Sequence, residues 1–213
     1  MKKQILTLLA VATLGFAAQA QDSTPSFGFS QGSIFAEGSL GYSTSDDKAD
    51  GLKGHEFTLT PQVGYFLTDK FAAGVYFDLK SSKEESLDAL SNKITTKPNN
   101  FSVGLFGRYY FLDLGQRFKF YGQVNAGYAH SKVKTESVYG KADVKGSGFN
   151  AGLDLGVNYF ITPKIAINFA FANLVDYTST KPKGGKAQND VNIELNSFKN
   201  FFNEPRFGLT FVF

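Results

Sequence analysis

The sequence predicts an all-β protein: a membrane-spanning, antiparallel, up-and-down β-barrel of about eight strands. Three observations carry that expectation. Apolar and small or polar residues alternate with a period of two in segment after segment between Gly32 and Phe213, which is the period of a strand with one apolar face. Short turns and longer polar connections take turns between those segments, as they do in barrels that cross a membrane. Past the first 20 residues, no stretch comes near the ~20 apolar residues that a spanning helix needs. Membrane residence would therefore require a closed barrel.

The first residues set the address. Met1-Lys2-Lys3 is a basic start, Ile5 to Phe16 is an apolar run, and Ala18-Gln19-Ala20 is a small-x-small cleavage site. Residues 1–20 thus read as a secretory signal peptide, with the mature chain starting at Gln21. Residues 21–31, with Pro25, Phe27 and Phe29, read as a short unpaired leader, and residues 32–213 as the barrel domain. The chain has 213 residues, with 23 Phe, 10 Tyr and 22 Gly but no Trp. Such a mixture suits twisted strands with bulky residues on one face and small ones on the other. There is no Cys, which excludes disulfides and thiol chemistry. Without Lys2 and Lys3, 20 of the 22 basic residues remain against 19 acidic ones, a formal charge of +1. That balance points to no nucleic-acid partner.

The strands follow in order. Ile34, Ala36, Gly38, Leu40 and Tyr42 share one face, and Ser43 to Lys53 forms a polar turn. Phe57, Leu59, Pro61, Val63 and Tyr65 make the second strand, in which Pro61 implies a bulge or a gap in the ladder. A tight turn at residues 67–70 leads back through Phe71, Ala73, Val75, Phe77 and Leu79. Next comes a charged connection, about Ser81 to Asn99, within which Glu84 to Leu90 has helical character. The fourth strand runs from Phe101 to Phe111, and after the turn at 113–116 the fifth runs from Phe118 to Tyr128. Beyond a polar loop from Lys132 to Lys145, Phe149 to Tyr159 and Ile165 to Phe171 form the next pair around the turn at 162–164. Alternation becomes unclear near Asn173, and a polar loop from about Ser179 to Asn200 precedes the last strand.

An aromatic doublet recurs before each tight turn: Tyr65-Phe66, Tyr110-Phe111 and Tyr159-Phe160, about 45 to 50 residues apart. That spacing fits two strands of ~10 residues and the loop between them. The doublets are expected to form an aromatic belt at the membrane interface on the short-turn side, where Tyr sits half in lipid and half in water.

A soluble, lipocalin-like barrel alternates as well, but with its apolar face inward. The polar face decides between them. It carries Gly64, Gly74, Gly104, Gly127, Gly152, Gly156 and Gly208 among Gln62, Gln123, Asn125, Asn150, Asn158 and Asn168, while most Lys residues lie in the loops. Small and amide residues suit a cramped interior better than a face washed by water. The same face bears Glu37, Glu56, Asp78 and Asp154 against Lys80, Arg108, Lys119 and Arg206. Charges inside a narrow barrel are costly unless paired, so these eight are expected to form a lumen-filling ion-pair network, with strand-end hydration as the alternative. Conversely, the glycines remove side-chain volume and would widen the lumen.

The final strand, Phe207 to Phe213, puts Phe207, Leu209, Phe211 and Phe213 on one face and ends on a phenylalanine. Taken alone, it also fits the last strand of a soluble β-domain. With the signal peptide, the strand count and the turn asymmetry, the chain resembles the outer-membrane protein β-barrel domain family, the small OmpX- and OmpW-type barrels of Gram-negative bacteria. The resemblance covers about residues 32–213. It implies an outer-membrane location after export, tight turns in the periplasm, contacts with outer-membrane lipids and lipopolysaccharide, and a terminal strand, Phe207, Leu209, Phe211 and Phe213, read by the barrel-assembly machinery. Members range from structural or adhesive barrels to narrow conduits, so fold does not choose the activity.

Candidate chemistry is sparse. His55 and His130 have no metal-ligand spacing, and no cofactor motif is present. Lipid-modifying barrels of this size pair a His with a Ser, and His130 precedes Ser131 directly. Adjacent strand residues face opposite sides, however, and the deacylase pattern has one residue between the two. The expectation is a non-enzyme. Lys181, Lys183 and Lys186 around Gly184-Gly185 form a basic loop suited to lipopolysaccharide phosphates or simply to solvent. A structural or surface-interaction barrel, monomeric and with ligand contacts through its long loops, is the first functional expectation. A narrow channel is the second.

Overall fold

The computed structural model describes residues 27–47, 52–87, 92–193 and 206–213. Nine strands lie among them: β1 (Ile34–Asp47), β2 (Leu52–Phe66), β3 (Phe71–Leu87), β4 (Lys93–Leu114), β5 (Phe118–Ser137), β6 (Gly140–Thr162), β7 (Ile165–Pro182), β8 (Gln188–Ile193) and β9 (Arg206–Val212). All neighbours are antiparallel, and β9 lies between β1 and β7, which closes a ring of eight. The ninth strand does not widen the ring. β8 pairs with residues 175–180 of β7 and β9 with residues 165–170, so the two occupy one stave at different heights.

Two faces follow from the alternation. Leu105, Val124 and Phe149 are among the outward residues and are well exposed, whereas Arg108, Asn158, Asn168 and Thr210 on the inner face are buried. The apolar wall is thus on the outside, the inverse of a soluble barrel. Outward apolar residues occupy about 9 to 11 positions per strand, such as Phe57–Tyr65 and Phe101–Phe111, enough to span an apolar band ~25 Å tall. Tyr65, Tyr109 and Tyr159 mark its lower edge, Tyr42 and Tyr128 its upper edge.

The strands are much longer than that band: β4 has 22 residues and β6 has 23. This corrects the polar-loop readings. Residues 43–47 and 52–53 are strand, as are 81–87 and 93–99, and Lys132–Lys145 is a hairpin that turns at Val138-Tyr139 with Gly140 at φ 135°. No helix forms at Glu84–Leu87, which is strand; residues 88–90 lie outside the described residues. Of Ser179–Asn200, the first part extends β7 to Pro182 and residues 188–193 form β8, with 194–200 outside the described residues. Above the band both faces of a strand meet water, so apolar alternation disappears although the ladder continues.

Two irregularities sit where alternation faltered. The β2–β3 ladder pairs Leu59 with Leu79 and then Gln62 with Tyr76, skipping Pro61, and Thr60 Oγ1 donates across the gap to Asp78 (2.6 Å). Near Asn173, the β6–β7 register shifts twice, at Leu153/Asp154 and at Leu155/Gly156.

Candidate functional site

The barrel is crossed near the short-turn end of its apolar band by one buried polar layer. Arg108 points inward from β4 with 1 % of its surface exposed. Its Nη1 and Nη2 donate to the two carboxylate oxygens of Glu37 on β1 (3.0 and 2.8 Å), and its Nε donates to Gln123 Oε1 on β5 (2.8 Å). Glu37 also accepts from Gln62 on β2 and from Thr210 on β9. Asn158 on β6 donates to Thr210 Oγ1 (2.8 Å) and accepts from Tyr110 (3.0 Å), while Asn168 on β7 donates to Tyr121 (2.8 Å). Every stave except β3 therefore supplies a polar group. The guanidinium lies 4.0 Å from the Tyr121 ring centre and 5.1 Å from that of Phe35. A buried charge is tolerable when every nitrogen of the guanidinium donates in this way and aromatic faces fill the rest.

The eight charges expected to form one network fall instead into tiers. Glu37 and Arg108 form the buried layer. Above it, Arg206 meets Asp154 (2.9 Å), which also accepts from Asn125, and Lys80 meets Glu56 (2.7 Å) higher still. Asp78 is held by Thr60 rather than by a base. Lys119 faces Asp113 (3.0 Å) at the short-turn rim and takes no part in the buried layer. Parity along a strand settles which face a charge is on but not its height, and height decides its partner.

Below the polar layer lies an aromatic floor. Phe66, Tyr110 and Phe160 are buried inside the barrel, so only Tyr65, Phe111 and Tyr159 of the doublets look outward. This corrects the belt: consecutive strand residues cannot share a face. Phe29 of the leader sits between the three inward rings, at 4.5 Å from Phe66, 4.6 Å from Tyr110 and 5.0 Å from Phe160. Beneath it, Arg117 stacks on Phe27 (4.5 Å), and the Gln31 N–H donates to Asp69 (2.8 Å). Residues 27–31 are therefore a stopper in the mouth. Nothing in the alternation marks them, because they precede the first strand.

The inward glycines do not widen the lumen. A Cβ on Gly64 would lie 2.3 Å from the Phe35 ring, one on Gly104 would lie 2.6 Å from the Tyr76 ring, and one on Gly156 would lie 2.3 Å from the Tyr121 hydroxyl. The space that Gly64, Gly104 and Gly156 vacate is filled by an aromatic ring from another strand, whereas Gly152 faces Asn125 and Gly208 faces Ser39. What remains beside Arg108 is a cavity of about 30 Å³. Higher up, a cup of about 430 Å³ opens between β1, β2, β3 and β4, lined by Ser43, Ser45, Glu56, Ser82, Glu84 and Ser86 among others.

The remaining sequence candidates lie on the outer wall. Phe207, Leu209, Phe211 and Phe213 are all exposed outward, and Phe213 and Ile34 exchange backbone hydrogen bonds (2.8 and 3.2 Å) at the closing seam. His55 and His130 are exposed, and the ladder is regular at His130, so Ser131 faces the other side. Lys181, next to last in β7, lies opposite Ser147, Lys183 donates its N–H to the Lys145 carbonyl (2.9 Å), and Lys186 is exposed beyond the turn.

Residues 7–199 match the family described as outer membrane protein beta-barrel domain. The chain belongs to that family. Its fold is similar to that of the outer membrane protein OprG from Pseudomonas aeruginosa, at 17% identity and a TM-score of 0.51 over 87% of this chain and 98% of that one. Weaker likeness extends to Neisserial surface protein A (14% identity, TM-score 0.43, 85% and 99% covered). The attachment invasion locus protein Ail of Yersinia pestis is similar at 15% identity and a TM-score of 0.44, with 86% and 99% covered. No curated protein sequence matches the chain. As a family member, the barrel is placed in the outer membrane.

Proposed function

We propose that this barrel is a closed structural and surface-interaction protein of the outer membrane, exported behind its signal peptide, assembled through its Phe213-ended strand, and monomeric. One observation carries the reading: the lumen is shut twice, by the Arg108–Glu37 layer and by Phe29 in the aromatic floor. A cavity of about 30 Å³ holds roughly one water, so solute passage would require both layers to rearrange. The strand extensions and the open cup then present the working surface outside the cell. This reading is non-enzymatic, and it rests on His130 and Ser131 facing apart.

A narrow conduit is the second reading, favoured by the cup of about 430 Å³ that opens above the polar layer. Liposome swelling separates the two. Vesicles containing the refolded protein should swell no faster in isosmotic glycine or arabinose than empty vesicles do. Swelling at porin-like rates would make the conduit the better reading.

A further inference from the structure

Phe29 is placed as a ligand would be rather than as a wall residue. It belongs to no strand. Its ring is stacked on Phe66 (4.5 Å, 16° between planes), meets Phe160 edge-on (5.0 Å, 67°) and lies tilted against Tyr110 (4.6 Å) and Phe35 (6.2 Å). Those four rings come from β2, β6, β4 and β1, and all are buried inside the barrel. One stacked and one edge-on partner is the arrangement favoured by a ring's negative face and positive edge. The hollow therefore selects an aromatic ring over an aliphatic group of equal size.

The segment that carries Phe29 is built as a strap. It turns at glycines in the left-handed region on either side of the ring, Gly28 at φ 137° and Gly32 at φ 88°, where a side chain strains the backbone. The Gln31 N–H donates to Asp69 (2.8 Å), the Gly32 N–H to the Phe66 carbonyl (2.9 Å) and the Ser33 N–H to the Ser30 carbonyl (3.0 Å). Ser30, Gln31 and Gly32 are exposed, and Phe27 and Phe29 are only partly buried. The four rings of the hollow, in contrast, ride on strands paired on both sides. Lifting the strap thus breaks surface bonds and one set of ring contacts, and the hollow keeps its walls.

We propose that the aromatic floor is a binding site for a single aromatic ring, filled at rest by the chain's own Phe29, and that the strap lifts about Gly28 and Gly32 to let a ring from another molecule take its place. The proposal rests on the floor and not on the Arg108 layer, so a leaking or a silent barrel leaves it untouched. Ligand-observed NMR on the refolded full-length protein tests it with 4-fluorophenol, and with cyclohexanol as an aliphatic probe of similar size. Wild type should bind 4-fluorophenol weakly, because a closed strap lowers the apparent affinity by the fraction open. Gly32→Ala should bind it about tenfold more tightly. A Cβ there meets nothing nearer than the Tyr65 hydroxyl at 4.0 Å, so the substitution strains the closed strap and leaves the hollow intact. Phe29→Ala should bind it at least about tenfold more tightly than wild type does, and about tenfold more tightly than it binds cyclohexanol. Phe149→Ala, which removes an exposed outward ring, should match wild type. A peptide copy of residues 27–31 separates the two sources of a ring. Tighter binding than 4-fluorophenol to Phe29→Ala assigns the floor to an aromatic side chain on an extended peptide, and weaker binding assigns it to free aromatic molecules. Wild-type affinity in either Gly32→Ala or Phe29→Ala, or cyclohexanol bound as well as 4-fluorophenol, would overturn the proposal. So would loss of the fold in Gly32→Ala, which would make the strap a fixed clasp.

Discussion

Arg108 and Glu37 are each almost wholly removed from solvent, and each is the other's compensating charge. Removing one partner of such a pair costs more than removing both, because the survivor stays buried and uncompensated. Arg108→Met should therefore lower the unfolding free energy in urea by about 3–5 kcal/mol, and Arg108→Met/Glu37→Leu should recover part of that loss. A single variant as stable as wild type would show that the layer adds nothing. Strand parity, with the small and amide character of the polar face, was enough to put both residues inside, and the amides Gln62, Gln123 and Asn158 with them. It did not supply heights, which is why Lys119, a rim residue paired with Asp113, was expected among the buried charges. Nor could it supply Phe29, whose position depends on three rings from three distant strands.

Individual hairpins show why the outer half of the molecule was harder to read. In the apolar band each strand has one greasy and one polar face, and the resulting pattern places the short-turn ends of β2, β5 and β6 within a few residues. Above the band the ladder is sustained by backbone hydrogen bonds and cross-strand charge pairs, which leave no apolar period. The β3–β4 hairpin is an example: Glu85 is clamped between Lys83 (2.6 Å) and Lys93 (2.8 Å). Hydrogen bonds from Lys83 and then Lys93 pull its carboxyl from the ordinary 4.5 down to about 2. A carboxyl depressed in the folded state contributes stability above its ordinary range, and that contribution is lost as pH falls through about 2. Because Glu85 sits near the surface and is only partly buried, solvent screens its contribution to stability, and its titration is the better readout. Carboxyl NMR should give a midpoint near 2 that rises toward 4.5 in Lys93→Gln. A wild-type midpoint already at 4.5 would mean that the clamp does not form.

At the scale of the whole molecule, the sequence contained the ring, because closure needs only an even set of antiparallel strands whose first and last edges match. β1 and β9 supply those edges, paired from Phe35–Val212 to Gly41–Arg206. The state of the lumen was less legible. Inward glycines and charges alone fit a wetted gap as well as a filled one. Phe35, Tyr76 and Tyr121 decide between them by occupying the glycine hollows, and the leader by entering from below. The central claim is thus double closure, and ion conductance in a planar bilayer tests it most directly. Wild type, Phe29→Ala and Arg108→Ala should each be silent, because each retains at least one seal, while Phe29→Ala/Arg108→Ala should conduct in steady unitary steps. Steady conductance by wild type, or a silent double variant that has refolded, would contradict it.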